Sequence, residues 1–258
     1  MRFKLLYTAI AVGMFSLSAC KQKTTAETAV SSDSVATVVD SQRLEMSSAE
    51  DLSLKVFSEN LKTEHCSYET SIVLAQSKEH PHLATAINEW VNEQLGGKYE
   101  GDINDGQAML NYYQERWVRE EDDDIINGEY NISITKVYET DKYITFEASS
   151  YWYFGGAHGG SSLSGATFRK SDGRKFDKSM ISDENTLHPL LIKGLVKAFG
   201  ARNKKELGEL LMFSGACDSD NAEIKLINLP LPETEPWLTK EGLQLVYQQY
   251  EIGPYAVG

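Results

Sequence analysis

The chain of 258 residues carries 38 acidic against 25 basic side chains, which gives a formal net charge of −13. This excess of negative charge argues against nucleic acid and against anionic lipid head groups as partners, because both are themselves anionic. The length fits one domain or two interlocked halves, and no run after the N-terminal region approaches the ~20 apolar residues of a transmembrane helix.

The first twenty residues, MRFKLLYTAIAVGMFSLSAC, have the pattern of an export signal. Arg2 and Lys4 precede an apolar stretch that is too short to span a bilayer comfortably, and small residues precede Cys20. The segment Leu17-Ser18-Ala19-Cys20 resembles the bacterial lipobox, in which the cysteine is acylated and becomes the new N-terminus. We therefore expect residues 1–19 to be removed as a lipoprotein signal peptide, and lipid on Cys20 to anchor the chain to a membrane.

The expected location is the cell envelope. Lys21, rather than aspartate, after the lipidated cysteine resembles outer-membrane sorting in Gram-negative bacteria, with the protein facing the periplasm or the cell surface. Removal of residues 1–19 takes away two positive charges and no negative one, so the net charge of the mature chain becomes −15. Residues 20–57 are rich in Thr, Ala, Ser and acidic residues, which predicts a flexible tether with a span of roughly 30–35 Å. The folded domain is then expected at 58–258, in halves 58–150 and 151–258.

Hydrophobic spacing predicts the elements of this domain. Helical spacing is found in 80–95, 105–121, 183–200 with a stop at Gly200, and 204–213 after a cap at Asn203. Strand character is found in 66–76, 130–139, 143–154, 162–169, 222–232 and 242–255, with turns at 140–142 and 172–173. Because strands and helices come in unequal blocks, we expect an α+β fold in which a largely antiparallel mixed sheet packs with three to four helices.

Two cysteines remain after lipidation of Cys20, namely Cys66 and Cys217. An even pair in an exported chain permits a disulfide, and two separately buried thiols are the alternative. A bridge would close a loop of about 150 residues and contribute up to ~5 kcal/mol to stability in the chain-entropy account.

The segment YWYFGGAHGG combines an aromatic strand end with a glycine-rich loop around one histidine. Its candidate residues are Tyr151, Trp152, Tyr153, Gly155, Gly156 and His158. A functional interpretation makes His158 a base or ligand, or uses the bare amides to hold an anion. A structural interpretation, which we favour, has His158 hydrogen-bonding a neighbouring backbone group to hold the loop where the glycines permit close approach.

Four segments resemble a known family in their order and spacing: YFGGAHGG, SDGRKF, LHPLLIKGLVKAF and PWLTKEGLQLVYQQYEIGPYAVG. This family is the domain of unknown function in the extracellular part of the lysozyme-sensing anti-sigma factor RsiV. A related domain precedes the catalytic domain of the peptidoglycan deacetylase PdaC, and many Bacteroidetes-type lipoproteins carry the domain alone. The resemblance covers about residues 60–258, most strongly from 150 onward, and its last motif adds Tyr250 and Tyr255 to the candidate binding residues.

The resemblance implies an α+β extracytoplasmic domain with no established catalytic activity. Family members usually continue past the last motif into one more strand, which predicts either a further strand after Gly258 or an exposed sheet edge.

Motifs of common enzyme classes are absent from the sequence. Its five histidines include no H-E-x-x-H pair, GGSSLSG does not match G-x-S-x-G, and no Walker loop is present. The acidic run EEDDDIINGE at 120–129 lacks the ligand spacing of an EF-hand. We therefore expect no cofactor and no metal.

Two hypotheses remain. The first is a non-enzymatic binding or sensing module for a cationic, lysozyme-like muramidase or a cell-wall glycan; negative charge would speed encounter with a cationic partner and make binding salt-sensitive. The second is an enzyme or accessory domain acting on peptidoglycan or glycan, with His158 and either Asp172 or Glu147 as its acid–base pair. We favour the first, because catalysis needs a constellation of groups that the sequence does not present.

Overall fold

The computed structural model describes residues 12–15, 51–121, 125, 127–213 and 221–254. The strands are β1 Val12–Phe15, β2 Ser53–Lys62, β3 Cys66–Gln76, β4 Gly128–Glu139, β5 Tyr143–Tyr153, β6 Gly160–Arg169, β7 Trp237–Thr239 and β8 Gly242–Val246. The helices are α1 Pro81–Gln94, α2 Gly106–Arg119, α3 His188–Ala198, α4 Lys204–Leu210 and α5 Ala222–Ile227, with 3-10 turns at Lys178–Met180 and Glu184–Thr186. The predicted α+β class is confirmed. No helix among these elements is long and apolar enough to cross a membrane.

Two sheets are present in the described ranges. The larger has five strands in the order β2-β3-β4-β5-β6, and only its β3–β4 pair is parallel. The smaller has the order β1-β8-β7 and is antiparallel, with β1 supplied by the segment expected to be the signal peptide. The prediction of a largely antiparallel mixed sheet is therefore confirmed, because three of the four strand pairs in the larger sheet are antiparallel and one is parallel.

The first hydrophobic core lies between the five-stranded sheet and helices α1 and α2. Alternate side chains of the strands point to this face, so apolar residues spaced by two meet apolar residues spaced by three and four on the helices. The largest of these buried side chains are Ile72, Leu74, Leu83, Ile87, Trp90, Met109, Leu110, Tyr113, Phe146 and Phe168. The amphipathic helices predicted at 80–95 and 105–121 are confirmed.

The second core joins α3, α4 and α5 to β8, and its members include Leu191, Leu195, Leu207, Leu211, Leu226, Leu245 and Ile252. Trp237 connects the two halves, because its fully buried indole lies where a side chain on Gly165 of β6 would have to be. Its Nε1 donates a hydrogen bond to Glu147 Oε1 of β5 at 2.8 Å. The second half is thereby packed onto the face of the sheet that α1 and α2 leave open.

Two boundaries differ from those expected. The first strand of the domain begins at Ser53, inside the tether predicted to run to residue 57, because it pairs along its whole length with β3. Strand β5 crosses the division placed at residue 150, because it continues to Tyr153 and pairs with β6, and both strands contribute side chains to the first core.

Three predictions for the second half need correction. The strand predicted at 222–232 is wrong: this segment contains α5, capped by Asn221 accepting the Glu223 amide at 2.9 Å, and Ala222 and Leu226 are buried one turn apart. The last strand ends at Val246, well before residue 255. The helix predicted from residue 183 begins at His188, because Asp183 instead caps a 3-10 turn.

Candidate functional site

The candidate site is a cleft at one end of the β5–β6 pair. The chain passes from Tyr153 through the glycine loop to Gly160, and the segment after β8 returns beside it. The cleft has a volume of about 420 Å³. Its lining residues are Trp152, His158, Gly159, Gly160, Ser161, Ser162, Gln248, Gln249 and Tyr250. The structure thus brings together Trp152, His158 and Tyr250, which the sequence proposed from two distant motifs.

The two glycine pairs of the loop have different roles. Gly155 and Gly156 have φ angles of 103° and 93° with nothing within 4 Å of an added Cβ, so they serve only to turn the backbone. At Gly159 an added Cβ would lie 2.6 Å from the Trp152 carbonyl oxygen and 2.7 Å from the Tyr151 hydroxyl, and at Gly160 it would collide with the Trp152 indole. Gly159 therefore lets Tyr151 lie against the loop, and Gly160 lets the Trp152 indole lie on the backbone of β6.

His158 is held at both ring nitrogens. Its Nδ1 lies 3.0 Å from the carbonyl oxygen of Gly159, and its Nε2 lies 2.8 Å from the Tyr250 hydroxyl. Because a carbonyl oxygen only accepts, Nδ1 carries the proton, and in the neutral ring Nε2 accepts a hydrogen bond from the Tyr250 hydroxyl. The contact with Gly159 is of the kind that the structural interpretation of the loop expects, and the contact with Tyr250 fastens the two parts of the cleft together.

Tyr250 lies on a tight turn. Its φ of 67° falls in the left-handed region, which costs a non-glycine residue free energy and persists only where neighbours hold it. Glu251 does so: its carboxylate accepts the amide of Gln248 at 2.7 Å and the amide of Glu233 at 2.6 Å. Burial raises the pKa of Glu251, which makes this carboxylate the costly element of the turn.

Two glutamine side chains join this turn to the outer edge of β6. Gln248 accepts the amide of Leu163 at 3.2 Å and donates to its carbonyl at 2.7 Å, as a neighbouring strand would. Gln249 accepts the amide of Ser161 at 3.0 Å. These contacts cover backbone groups that an edge strand otherwise leaves open.

The acids proposed as partners for His158 lie elsewhere. The strand register pairs Trp152 with Gly160 at the cleft end and Tyr143 with Arg169 at the other end, about 30 Å away. Asp172 follows Arg169, whose guanidinium donates to it and lowers its pKa to about 2. Glu147 lies midway along β5, where it accepts the Trp237 indole N–H. The structure therefore brings neither acid to the histidine.

The remaining candidate residues do not enter the cleft. Tyr151 points to the opposite face of β5 from Trp152, and the Tyr153 hydroxyl donates to the Gly156 carbonyl at 3.1 Å within the loop. Cys66 is buried, and burial raises the pKa of its thiol. Cys20, Cys217 and Tyr255 lie outside the described residues, so the lipid anchor and the disulfide stay predictions.

One further cluster has the residue types of a metal site. Single ligand atoms of Asp51, Glu79 and His80 lie within 4.8 Å of one another. However, Asp51 already accepts hydrogen bonds from the Ser77 hydroxyl at 2.7 Å and from the amides of Lys78 at 2.7 Å and Glu79 at 2.8 Å, and these bonds lower its pKa. The carboxylate thus acts as a cap for the turn before α1.

Sequence reasoning missed four polar residues of the cleft: Ser161, Ser162, Gln248 and Gln249. The available signal was weak, because serines beside glycine and a glutamine pair before Tyr250 are equally typical of exposed loops. Only the packing of the second half against β6 brings them together.

Comparisons with known proteins agree with this architecture. A family model described as deacetylase PdaC matches residues 59–161, a range that runs from β2 into β6 and excludes the turn at Tyr250. No curated protein matches the sequence.

Two solved structures share the fold. A member of the DUF3298 family from Bacteroides fragilis is 17% identical, with a TM-score of 0.63 over 82% of this chain and 89% of that chain. A DUF3298 family protein from Pseudomonas aeruginosa is 14% identical, with a TM-score of 0.53 over 81% of this chain and 88% of that chain. Residues 59–161 are thus similar to the PdaC family in sequence, and the two DUF3298 structures share the fold of this chain.

Proposed function

We propose that this protein is a non-enzymatic binding module of the cell envelope, anchored by lipid on Cys20, and that its cleft holds a component of the cell wall. The observation that carries the proposal is the state of His158, which contacts the carbonyl of Gly159 in its own loop through Nδ1 and the Tyr250 hydroxyl through Nε2. A histidine employed in this way positions a binding surface.

The composition of the cleft supports recognition over catalysis. Its nine lining residues include aromatic rings, amides and hydroxyls, but no carboxylate, lysine or arginine. The two titratable side chains that it does hold, His158 and Tyr250, are hydrogen-bonded to each other at 2.8 Å, so they fasten the two parts of the cleft together. Small-molecule binding sites combine apolar rings with a few well-placed polar groups. For the same reason we do not extend to this chain the deacetylase activity in the name of the matched family.

The location rests on the N-terminal sequence. The lipobox-like segment before Cys20 and the following tether would hold the folded domain off a membrane surface and within reach of the cell wall. We propose the outer membrane of a Gram-negative cell, with the domain facing the periplasm or the cell surface.

A cationic muramidase is the second candidate partner. The net charge of −13, which becomes −15 in the mature chain, favours a cationic protein, and the resemblance to the lysozyme-sensing domain points the same way. Such binding would depend on salt, because exposed charges are screened over ~10 Å at 0.1 M salt and over ~3 Å at 1 M.

Co-sedimentation tests the proposal. The purified full chain is mixed with intact cell-wall sacculi, and separately with beads carrying a cationic muramidase, in 0.1 M and 1 M salt. We expect retention on sacculi at both salt concentrations and no release of reducing sugar. Retention only on the muramidase at low salt would favour the second candidate. Release of sugar, or retention on neither, would overturn the proposal.

Cell fractionation tests the anchor. In cells that express the Cys20→Ser chain, we expect a product that no longer sediments with membranes once the signal peptide has been removed. A processed Cys20→Ser protein that still sediments with membranes would refute lipid anchoring.

A further inference from the structure

We infer that the ligand of this cleft is an uncharged saccharide, held between the rings of Trp152 and Tyr250 and by the amide and hydroxyl groups beside them. The inference rests on the proposed function and names the chemical class that the cleft takes.

The two aromatic rings come from different elements and are fixed independently. Trp152 lies on the backbone of Gly160, where no other residue leaves room for the indole. Tyr250 is 56% exposed, yet its position is set by its turn and by the hydrogen bond from its hydroxyl to His158. Aromatic rings with a polar tip suit partners that are apolar on one side and polar on the other. A pyranose ring is such a partner, because its C–H groups form apolar faces and its hydroxyls form a polar rim.

Three polar groups of the cleft have bonding capacity to spare. Because Gln249 Oε1 accepts the Ser161 amide, the Gln249 side-chain NH₂ is fixed in orientation, and it makes no hydrogen bond within the described ranges. Two further groups of the lining, the Ser161 hydroxyl and the Trp152 indole N–H, likewise make no hydrogen bond within the described ranges. Together they offer several donors and one hydroxyl acceptor, the combination that hydroxyl and acetamido groups of a sugar can satisfy.

Charge excludes the main competitors. An anionic ligand would find no lysine or arginine in the lining and would meet a protein of net charge −13. A small cation would find no carboxylate there. The volume of about 420 Å³ lies at the lower end of the range for ligand sites, which suits a short oligosaccharide.

Titration calorimetry with a neutral trimer of N-acetylglucosamine tests the inference, using the full chain in detergent. A trimer of galacturonic acid serves as the charged counterpart. We expect saturable binding of the neutral trimer and no binding of the acidic one. Equal binding of both sugars, or binding of a capped proline-rich peptide in the absence of sugar binding, would overturn the inference.

The matched variants are Trp152→Leu and Tyr143→Leu, which replace two half-buried aromatic residues at opposite ends of β5, about 30 Å apart. We expect Trp152→Leu to weaken binding roughly ten-fold, and Tyr143→Leu to leave it unchanged. Equal affinity in a folded Trp152→Leu protein would refute the inference. If Trp152→Leu does not fold, Ser161→Ala takes its place, with an expected loss of roughly three- to ten-fold from one hydrogen bond.

The outcome of co-sedimentation separates the two proposals. If the trimer does not bind while sacculi still retain the protein, the sugar assignment falls and the binding module stands. If sacculi and muramidase both fail to retain it, the proposed function falls as well.

Discussion

The two ends of the β5–β6 pair both carry glycine turns, but they are held in different ways. At the end remote from the cleft, Gly173 has a φ of 72°, and an added Cβ would lie 2.8 Å from the carbonyl oxygen of His82 in the first turn of α1. At the cleft end, Gly155 and Gly156 have open space around them. One end is thus part of the packed core, whereas the other is shaped by a few polar contacts.

The polar side-chain contacts at the two ends also differ in how far they are buried. Lys170, at the packed end, is only 7% exposed and donates to Glu139 Oε1 at 2.7 Å, while its amide donates to the Lys142 carbonyl. At the cleft end the side-chain contact is a hydrogen bond between His158 and Tyr250, and both residues are exposed. The comparison teaches that one pair of strands can combine an end packed into the core with an exposed end held by hydrogen bonds, and ligand sites are commonly found on such exposed loops.

The largest expected effect comes from Gly173→Ala. The new Cβ would meet the backbone of α1 and occupy a left-handed conformation, at a combined cost of about 2–4 kcal/mol. We expect a fall in melting temperature of roughly 5–15 °C, measured by circular dichroism. A destabilisation of 1 kcal/mol lowers the melting temperature of a domain of this size by ~2–4 °C. A melting temperature within 2 °C of that of the wild type would therefore show that this end is not packed as described.

Lys170→Met comes next. It removes a nearly buried cation and leaves Glu139 with only its exposed partner Lys136, so we expect a loss of about 1–2 kcal/mol. Denaturant unfolding measures the change, and Lys142→Met, on the neighbouring turn, is the control. Stability equal to that of the wild type would show that the pair contributes nothing measurable.

The same ion pair predicts a dependence on pH. Burial opposes ionisation of Glu139, but hydrogen bonds from Lys136 and Lys170 prevail and lower its pKa. A carboxylate with a lowered pKa contributes stability above its unfolded value, near 4.5, and loses it as the pH falls further. Between about pH 5 and pH 3 we expect the wild type to lose more stability than Lys170→Met. Parallel losses would rule out this contribution.

Gly155→Ala probes the other end. Alanine at a φ of 103° is strained although no atom lies in its way, so we expect a loss of about 1 kcal/mol, smaller than that of Gly173→Ala. Thermal melts of the two alanine variants, made side by side, give the comparison directly. A larger loss of stability in Gly155→Ala than in Gly173→Ala would show that the cleft end, and not the remote end, is the more tightly held.

The smallest expected change in stability is that of His158→Ala. Its side chain is exposed, so we expect a loss within ~0.5 kcal/mol, together with weaker retention on sacculi because the hydrogen bond between His158 and the Tyr250 hydroxyl is lost. Melting and co-sedimentation are measured on the same preparation. A melting temperature lower by several degrees with unchanged retention on sacculi would show that the loop stabilises the fold and has no role in binding.

Local patterns predicted most elements of the first core but missed strand β2, whose first residues were assigned to the tether. The helices at 80–95 and 105–121 have strong apolar periodicity, and the strands around them have β-branched and aromatic residues in alternation. Prediction failed where signals were short or ambiguous. Residues 222–227 have apolar residues that fit either period, and only the cap at Asn221 and packing against α4 make them a helix.

The candidate site was predicted in part. The tandem glycines marked a loop with special backbone geometry, and His158 was its one reactive side chain. The link between His158 and Tyr250 spans 92 residues and depends on a left-handed turn at a tyrosine, a conformation that no local pattern predicts. Asp172 and Glu147 were proposed as partners of His158 because they lie close to it in the sequence. However, an extended strand advances by ~3.3 Å per residue, so residues a few positions apart along a strand are far apart in space.

Charge, the export-signal pattern and hydrophobic periodicity are properties of local residue order, and they were therefore accessible from the chain alone: an acidic protein, an expected lipid anchor and an α+β class. Which polar groups face one another was decided by tertiary packing, because the second half docks on the outer edge of β6 through Gln248 and Gln249. That docking converts a glycine loop and a distant tyrosine into a single cleft. Contacts between residues so far apart depend on the whole fold, since each is worth too little free energy to form alone.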